Sequence, residues 1–393
     1  MTSTANAAKA YAQERILSQA GALVALSRRI HAYPELGFEE VQASGWLARL
    51  LEHAGFTVEL GLCGLPTAFA ARAGHGSLHL VLCAEYDALP EIGHACGHNL
   101  IAAISAGAGS ALRELADELD LTVTVLGTPA EELGNGKALL LEGGAFRGVH
   151  AAFMAHPAPL DVLEPPLLAF EQFDVDFADD ENDRSPSAVD RGSAAADALT
   201  LSQVAIGMLR SKLRPTDRVH GIVTHGGAPS RRVSATYMVR ANSLGQLEAL
   251  RGRVRRCFEA GALASGTRLT ITEAHAPYAE MRHDREIAGV YLRNAQALGR
   301  HFLDLGNLLD RGLGSTDMGN VSRTLPAIHP AIGIESLPAA NHQPEFTAHC
   351  VTPAAERALI DGATALAWTL IDVTAEPGLR RRLIAADEER SNA

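Results

Sequence analysis

Between Leu80 and Leu100 the chain reads LVLCAEYDALPEIGHACGHNL, and this stretch constrains both fold and chemistry. Leu80 to Ala84 is an apolar run of strand length. Two carboxylates follow, Glu85 and Asp87, and then His94-Ala95-Cys96-Gly97-His98-Asn99. The small-residue run from Ile101 to Ala111 reads as a helix lying close against a neighbour. Gly97 lets the backbone turn so that Cys96 and His98 face one point. Thiolate and imidazole are natural ligands for zinc and similar divalent ions, and a helix N-terminus behind them favours the thiolate. The same residues also fit a buried cysteine among core histidines.

The surrounding pattern alternates strands with helices. Helices are expected over 8–31, ended by Pro34, and over 38–54, ended by Gly55. Strands are expected at 56–60, 67–72 and 78–84, a helix at 100–118, and a β-branched strand at 121–127. A helix over 136–143 and a short strand at 151–155 follow. This alternation predicts a parallel or mixed α/β sheet. From about 168 the order becomes strand 168–177, helix 194–212, strands 218–225 and 233–240, helix 244–260 and strand 268–275. That is a split βαβ unit of the ferredoxin-like type. The chain is therefore expected to have a catalytic domain in two parts, 1–168 and 281–393, with a lid inserted at 169–280. The second part is expected to hold a helix at 284–299, a strand at 331–334 and a long helix at 353–372, with 376–393 charged and frayed.

Further polar residues fall just after predicted strands: Glu131-Glu132 after 121–127, His156 after 151–155, and His342 after 331–334. Open α/β sheets bind ligands beyond the carboxyl ends of their strands, so Cys96, His98, a glutamate, His156 and His342 converge on one crevice. Five donors exceed one tetrahedral site and suit two ions. Adjacent glutamates diverge, so one binds metal while the other serves as a base; alternatively, the pair simply favours a helix start.

A formal charge of −12 argues against a nucleic-acid partner. No run of about 18 apolar residues is found, so no membrane partner is expected. The N-terminal stretch lacks the pattern of a secretory signal. Five widely spaced cysteines give no disulfide framework and suggest a reducing, cytoplasmic setting.

Taken together, the segments resemble the aminoacylase and carboxypeptidase-G type family of co-catalytic metallopeptidases. The nearer likeness is to its amidohydrolase branch, which holds p-aminobenzoyl-glutamate hydrolase and the aminoacylase-1-like protein 2 group. It rests on HAYPEL at 31–36, YDALP at 86–90, HACGHN at 94–99, TPAEE at 128–132, AHP at 155–157, STDMGNVS at 315–322 and NHQPEF at 341–346. The resemblance implies an α/β zinc-peptidase-like catalytic domain with a ferredoxin-like α+β lid that also serves dimerisation. It implies metal ligands Cys96, His98, Glu132, His156 and His342, with Glu131 as general base and Asp87 orienting a ligand from behind. His31 sits in a matched motif that looks mainly architectural. Two divalent ions per chain follow, zinc first, with manganese, cobalt and nickel as alternatives. The expected activity is hydrolysis of an amide bond in a small N-acyl amino acid or dipeptide-like substrate. A rival reading is the same mechanism specialised for an unusual amide. Retention of all five ligands and the base argues against a non-catalytic binding protein.

The lid departs from the branch pattern. Residues 178–192 carry no histidine and are rich in acids, Asp179, Asp180, Glu181 and Asp183 among them. The usual asparagine is Ser230, followed by Arg231 and Arg232. These three residues, with His220 and His225 on a lid strand, are the candidate substrate contacts. Simple N-acetyl amino acids and plain dipeptides are accordingly expected to be weak substrates. A homodimer through the lid is the expected assembly.

Overall fold

The computed structural model describes residues 3–179, 193–226, 231–303 and 314–391. In chain order the elements are α1 (Ser3–Ala32), α2 (Val41–His53), β1 (Thr57–Leu60), β2 (Phe69–Ala73), β3 (Leu78–Ala84), α3 (His98–Leu112), β4 (Leu121–Gly127), α4 (Glu131–Gly134), α5 (Gly136–Glu142), β5 (Ala151–Phe153) and β6 (His156–Ala158). Then come β7 (Ala169–Ala178), α6 (Ala194–Arg210), β8 (Arg218–His225), β9 (Arg232–Ala241), α7 (Leu244–Ser265) and β10 (Arg268–Glu273). The chain ends with α8 (Arg285–Ala297), α9 (Met318–Thr324), β11 (Ala327–Ile328), β12 (Ala331–Gly333), α10 (Pro344–His349), α11 (Pro353–Ala375) and α12 (Pro377–Ser391). Two compact units result. The first comprises the described residues up to Pro165, 282–303 and 320–391; the second comprises those from Pro166 to Met281 with 314–319.

In the first unit a six-stranded mixed sheet runs β1-β2-β4-β3-β5-β11. The centre is parallel, with Leu80 opposite Val123 and Ala151, while β1 and β2 run antiparallel at one side. Strands β3 and β4 read as nearly continuous apolar runs because both faces are covered. All fifteen residues of α3 are buried. Its small side chains are a packing requirement: a Cβ on Gly109 would stand 2.3 Å from Val125 Cγ2, and one on Gly107 2.8 Å from Leu23 Cδ1.

The second unit is an antiparallel sheet in the order β10-β7-β9-β8, with α6 and α7 burying one face. The connectivity β-α-β-β-α-β is the split βαβ arrangement. Phe173, Val175, Phe177, Tyr237, Val239 and Phe258 form its core. Ser193 and Ser243 cap the two helices, their hydroxyls accepting from Ala196 N and Gln246 N.

Three local expectations are corrected. The helix after Cys96 ends at Leu112 rather than near 118. The expected strand 151–155 stops at Phe153, and His156 opens a separate strand that pairs with β12 in a two-stranded sheet. The C-terminal stretch is not frayed: α12 buries Leu379 and Leu383 on the core. Helix α11 is long and apolar enough, by length and composition, to cross a membrane, and here it is a core helix, largely buried.

Candidate metal centre

Strand β3 runs out at Ala84, and the chain beyond it places Glu85 and Asp87, both buried, two residues apart. Asp87 Oδ1 lies 2.8 Å from His98 Nδ1, and Asp87 Oδ2 accepts from the Glu132 backbone N–H at 3.0 Å. One carboxylate thus aims two other residues. With Nδ1 engaged, His98 turns Nε2 toward the glutamates, 3.9 Å from Glu131 Oε2 and 3.8 Å from Glu132 Oε1. Glu132 Oε2 lies 3.4 Å from His342 Nε2, and Cys96 Sγ lies 3.3 Å from His156 Nε2.

The backbone needed to reach this arrangement is unusual. Gly97 has φ of 78°, a conformation that other residues adopt only with strain, and a Cβ there would stand a tight 3.0 Å from Pro157 Cβ. Ala130, just ahead of the glutamate pair, and His342 itself adopt φ of 57° and 67°. Such non-glycine conformations cost of order 1–3 kcal/mol and gather where function demands them. Ala130 is held there by Glu40, whose Oε1 accepts from Ala130 N at 2.8 Å while Oε2 accepts from the Thr67 hydroxyl at 2.8 Å. His342 is fixed by its backbone N–H, which donates to Ala95 O at 2.9 Å.

Burial shapes the proton affinities. It pushes the Cys96 thiol well above its usual range, with the Glu132 charge adding to the effect. The expected help from the helix N-terminus is therefore outweighed, and a bound cation is what would drive the proton off. Burial raises Glu132, offset in part by His342, and lowers His156 to about 4. Burial acts to raise Asp87 as well, yet His98 and the two hydrogen bonds outweigh it and hold the carboxyl below its ordinary value. For His98, burial acts downward, and Asp87 more than reverses it.

Three buried atoms here have no hydrogen-bond partner: His98 Nε2, Glu132 Oε1 and Glu85 Oε2. Unpaired buried polar atoms are costly, and a cation would satisfy all three. The ligand atoms of Cys96, His98 and His156 lie within 4.8 Å of one another, as do those of Cys96, Glu132 and His342, and of His98, Glu131 and Glu132. A thiol, imidazoles and carboxylates in overlapping triplets fit two divalent ions.

All five expected ligands, the expected base and Asp87 therefore meet in the first unit. His31 bonds Thr347 O at 2.9 Å and stays outside the cluster. In its motif, Glu35 caps α2, accepting from Gln42 N and Ala43 N. Of the substrate candidates, His220 and His225 are exposed on β8 of the second unit. Arg232 is paired with Asp176 on β7 at 2.9 Å, and Arg231 O accepts from Asp179 N. Ser230 and most of the acidic loop, 180–192, lie outside the described residues. Sequence reasoning gave no role to Glu40, Lys137, Glu85 or His329. Lys137 is fully buried against Glu85, and His329 stacks on His156 at 5.2 Å.

Residues 81–367 match the family described as Peptidase family M20/M25/M40. The chain is 38% identical to the Xaa-Arg dipeptidase of Mus musculus over 393 aligned residues, covering 94% of this chain and 90% of the relative. It is 31% identical to a p-aminobenzoyl-glutamate hydrolase chain of Escherichia coli (strain K12), over 62% of this chain and 55% of that protein. Among solved structures, a dinuclear metal-binding M20 peptidase from Bacillus subtilis superposes with a TM-score of 0.67 at 22% identity, covering 91% of this chain and 99% of that one. An aminobenzoyl-glutamate utilization protein from Klebsiella pneumoniae superposes with a TM-score of 0.72 at 16% identity, covering 91% and 98%.

Proposed function

We propose specific roles for the residues of this chain, which belongs to peptidase family M20/M25/M40 and is a dinuclear metal-dependent amidohydrolase acting on dipeptide-like or N-acyl amino acid amides. The observation that carries the roles is the set of unpartnered buried atoms on His98 and Glu132 among the thiol and imidazoles. Cys96, His98, Glu132, His156 and His342 would hold the ions. When bound, the ions polarise the scissile carbonyl and the attacking water. Glu131 takes the proton from that water and returns it to the leaving nitrogen. Asp87 keeps His98 in the tautomer that presents Nε2. Zinc is the ion this thiolate-containing set favours over harder cations, which elemental analysis of protein purified without chelator checks.

For the substrate we propose a dipeptide whose C-terminal residue carries a side-chain cation. This is supported by the long match to Xaa-Arg dipeptidase and suits a strongly acidic chain. In a panel of Xaa-Arg, Xaa-Leu and Xaa-Glu dipeptides, N-acetyl amino acids and p-aminobenzoyl-glutamate, Xaa-Arg should lead in kcat/KM by tenfold or more. Glu131→Gln should keep its metal and lose roughly a hundredfold or more in turnover. Preference for a neutral dipeptide or for p-aminobenzoyl-glutamate would remove the substrate assignment; full activity in Glu131→Gln would remove the base.

The assembly we propose is a homodimer through the second unit. Strand β8 is a sheet edge with Ile222 and Val223 exposed, and α6 exposes Leu201, Val204 and Met208. An open apolar edge of this kind favours pairing with a second copy. Light scattering should give a dimer for the full chain and a monomer for Ile222→Lys with Met208→Glu; a dimer that persists in the double variant places the interface elsewhere. A cytoplasmic location, supported by cysteines that form no disulfide among the described residues, is checked by cell fractionation.

A further inference from the structure

Glu85 and Lys137 form a fully buried ion pair beside the metal centre, Nζ lying 2.5 Å from Oε1. The other oxygen of Glu85 points a different way. Oε2 has no hydrogen-bond partner and lies 3.4 Å from His98 Nε2, which also has none. Two donors each about 2.1 Å from one ion, at a near-tetrahedral angle, stand about 3.4 Å apart. The spacing of Glu85 Oε2 and His98 Nε2 is thus that of co-ligands. It matches the Cys96–His156 and Glu132–His342 separations of 3.3 and 3.4 Å.

Lys137 is set by the same loop that delivers the glutamate pair. Its neighbour Gly136 leaves no choice of residue, since a Cβ there would stand 1.8 Å from Pro129 O. The ammonium is therefore held by covalent proximity to Glu131 and Glu132 and engages Glu85 from its Oε1 side.

Resting on the metal-centre reading above, we propose that Glu85 is a sixth donor at this centre, presenting Oε2, and that Lys137 is a positioning residue that withholds Oε1. The pair would set how many oxygens reach the ion beside His98, and so its coordination number.

The test is a metal titration that does not depend on turnover. Chelator-stripped protein is titrated with zinc against a chromophoric chelator, and with cobalt(II) while its visible absorption is followed. Lys137→Met frees both oxygens of Glu85; it should keep two ions and lower the cobalt absorption intensity as the coordination number rises. The double variant Glu85→Gln with Lys137→Met removes both charges together and strands neither. It should hold one ion as the unaltered protein does and the other about 10–100-fold more weakly. If both ions bind the folded double variant with unaltered affinity, the pair is a structural ion pair and the proposal is overturned while the five-ligand centre stands. Should the double variant fail to fold, an unchanged cobalt spectrum in Lys137→Met overturns the proposal, and a weakened one supports it. An unaltered protein that takes up no divalent ion overturns the underlying metal centre as well.

Discussion

Replacing Asp87 by Asn tests the centre at the residue that aims two of its proposed ligands. The carboxylate accepts from His98 Nδ1–H at 2.8 Å and from Glu132 N–H at 3.0 Å. An amide offers one acceptor and one donor in the same space. If the amide nitrogen faces Glu132, that backbone N–H loses its partner, at a cost of about 1–3 kcal/mol for a buried group. If it faces His98, the imidazole must carry its proton on Nε2, the atom turned toward the centre. Either way a proposed ligand loses its orientation. Loss of such a supporting partner typically weakens metal binding 10–100-fold, or about 1.4–2.8 kcal/mol at about 1.4 kcal/mol per tenfold. The two estimates agree in size.

The assay is competition for zinc between metal-free protein and a chromophoric chelator at fixed ionic strength. Tyr86→Phe is the control. Its hydroxyl donates to Thr67 O at 2.6 Å, away from the cluster, so its loss should lower stability by roughly 1 kcal/mol and leave zinc affinity alone. The reasoning is refuted if Asp87→Asn binds zinc as tightly as the unaltered protein, or if Tyr86→Phe weakens binding as much as Asp87→Asn does.

Two further outcomes are expected. Burial, reinforced by the Asp87 charge, raises Glu40 from 4.5 to about 7. The folded, metal-free protein therefore keeps a proton that the unfolded chain releases, and stability should fall as pH rises from about 4.5 to about 7, by roughly 3 kcal/mol in all. Glu40→Gln should flatten that decline, and parallel pH curves for the two proteins would count against it. At the C-terminus, Leu383 is completely buried, so Leu383→Ala should cost about 2–5 kcal/mol in a denaturant melt with metal affinity unchanged; no loss would mean that α12 does not dock.

Much of this protein is legible in its sequence wherever the information is local. Strands β3, β4 and β8 end where their apolar or β-branched runs end, and Gly97 marks its turn because φ of 78° beside Pro157 favours glycine. The candidate ligand cluster is legible for a topological reason: residues beyond the ends of parallel strands gather at one crevice. Helix α12 was missed because its charges surround it. What fixes it are the two leucines and the Arg382–Asp284 pair, contacts with chain far away.

The same cause explains the residues that received no role. Glu40 looks like an ordinary acid before a helix, and its work is on Thr67 and Ala130 N, the latter 90 residues on. His329 reads as a loop histidine until it is seen stacked on His156. Lys137 reads as the solvent-facing start of a short helix, and only a carboxylate 52 residues earlier reveals it as buried. Burying an ammonium is costly unless it is paired, and Glu85 Oε1, 2.5 Å away, supplies a partner. The other oxygen of Glu85 has no hydrogen-bond partner and stands 3.4 Å from His98 Nε2. The path from a surface-like lysine to the proposed metal site thus runs through spatial neighbours that no window of sequence contains.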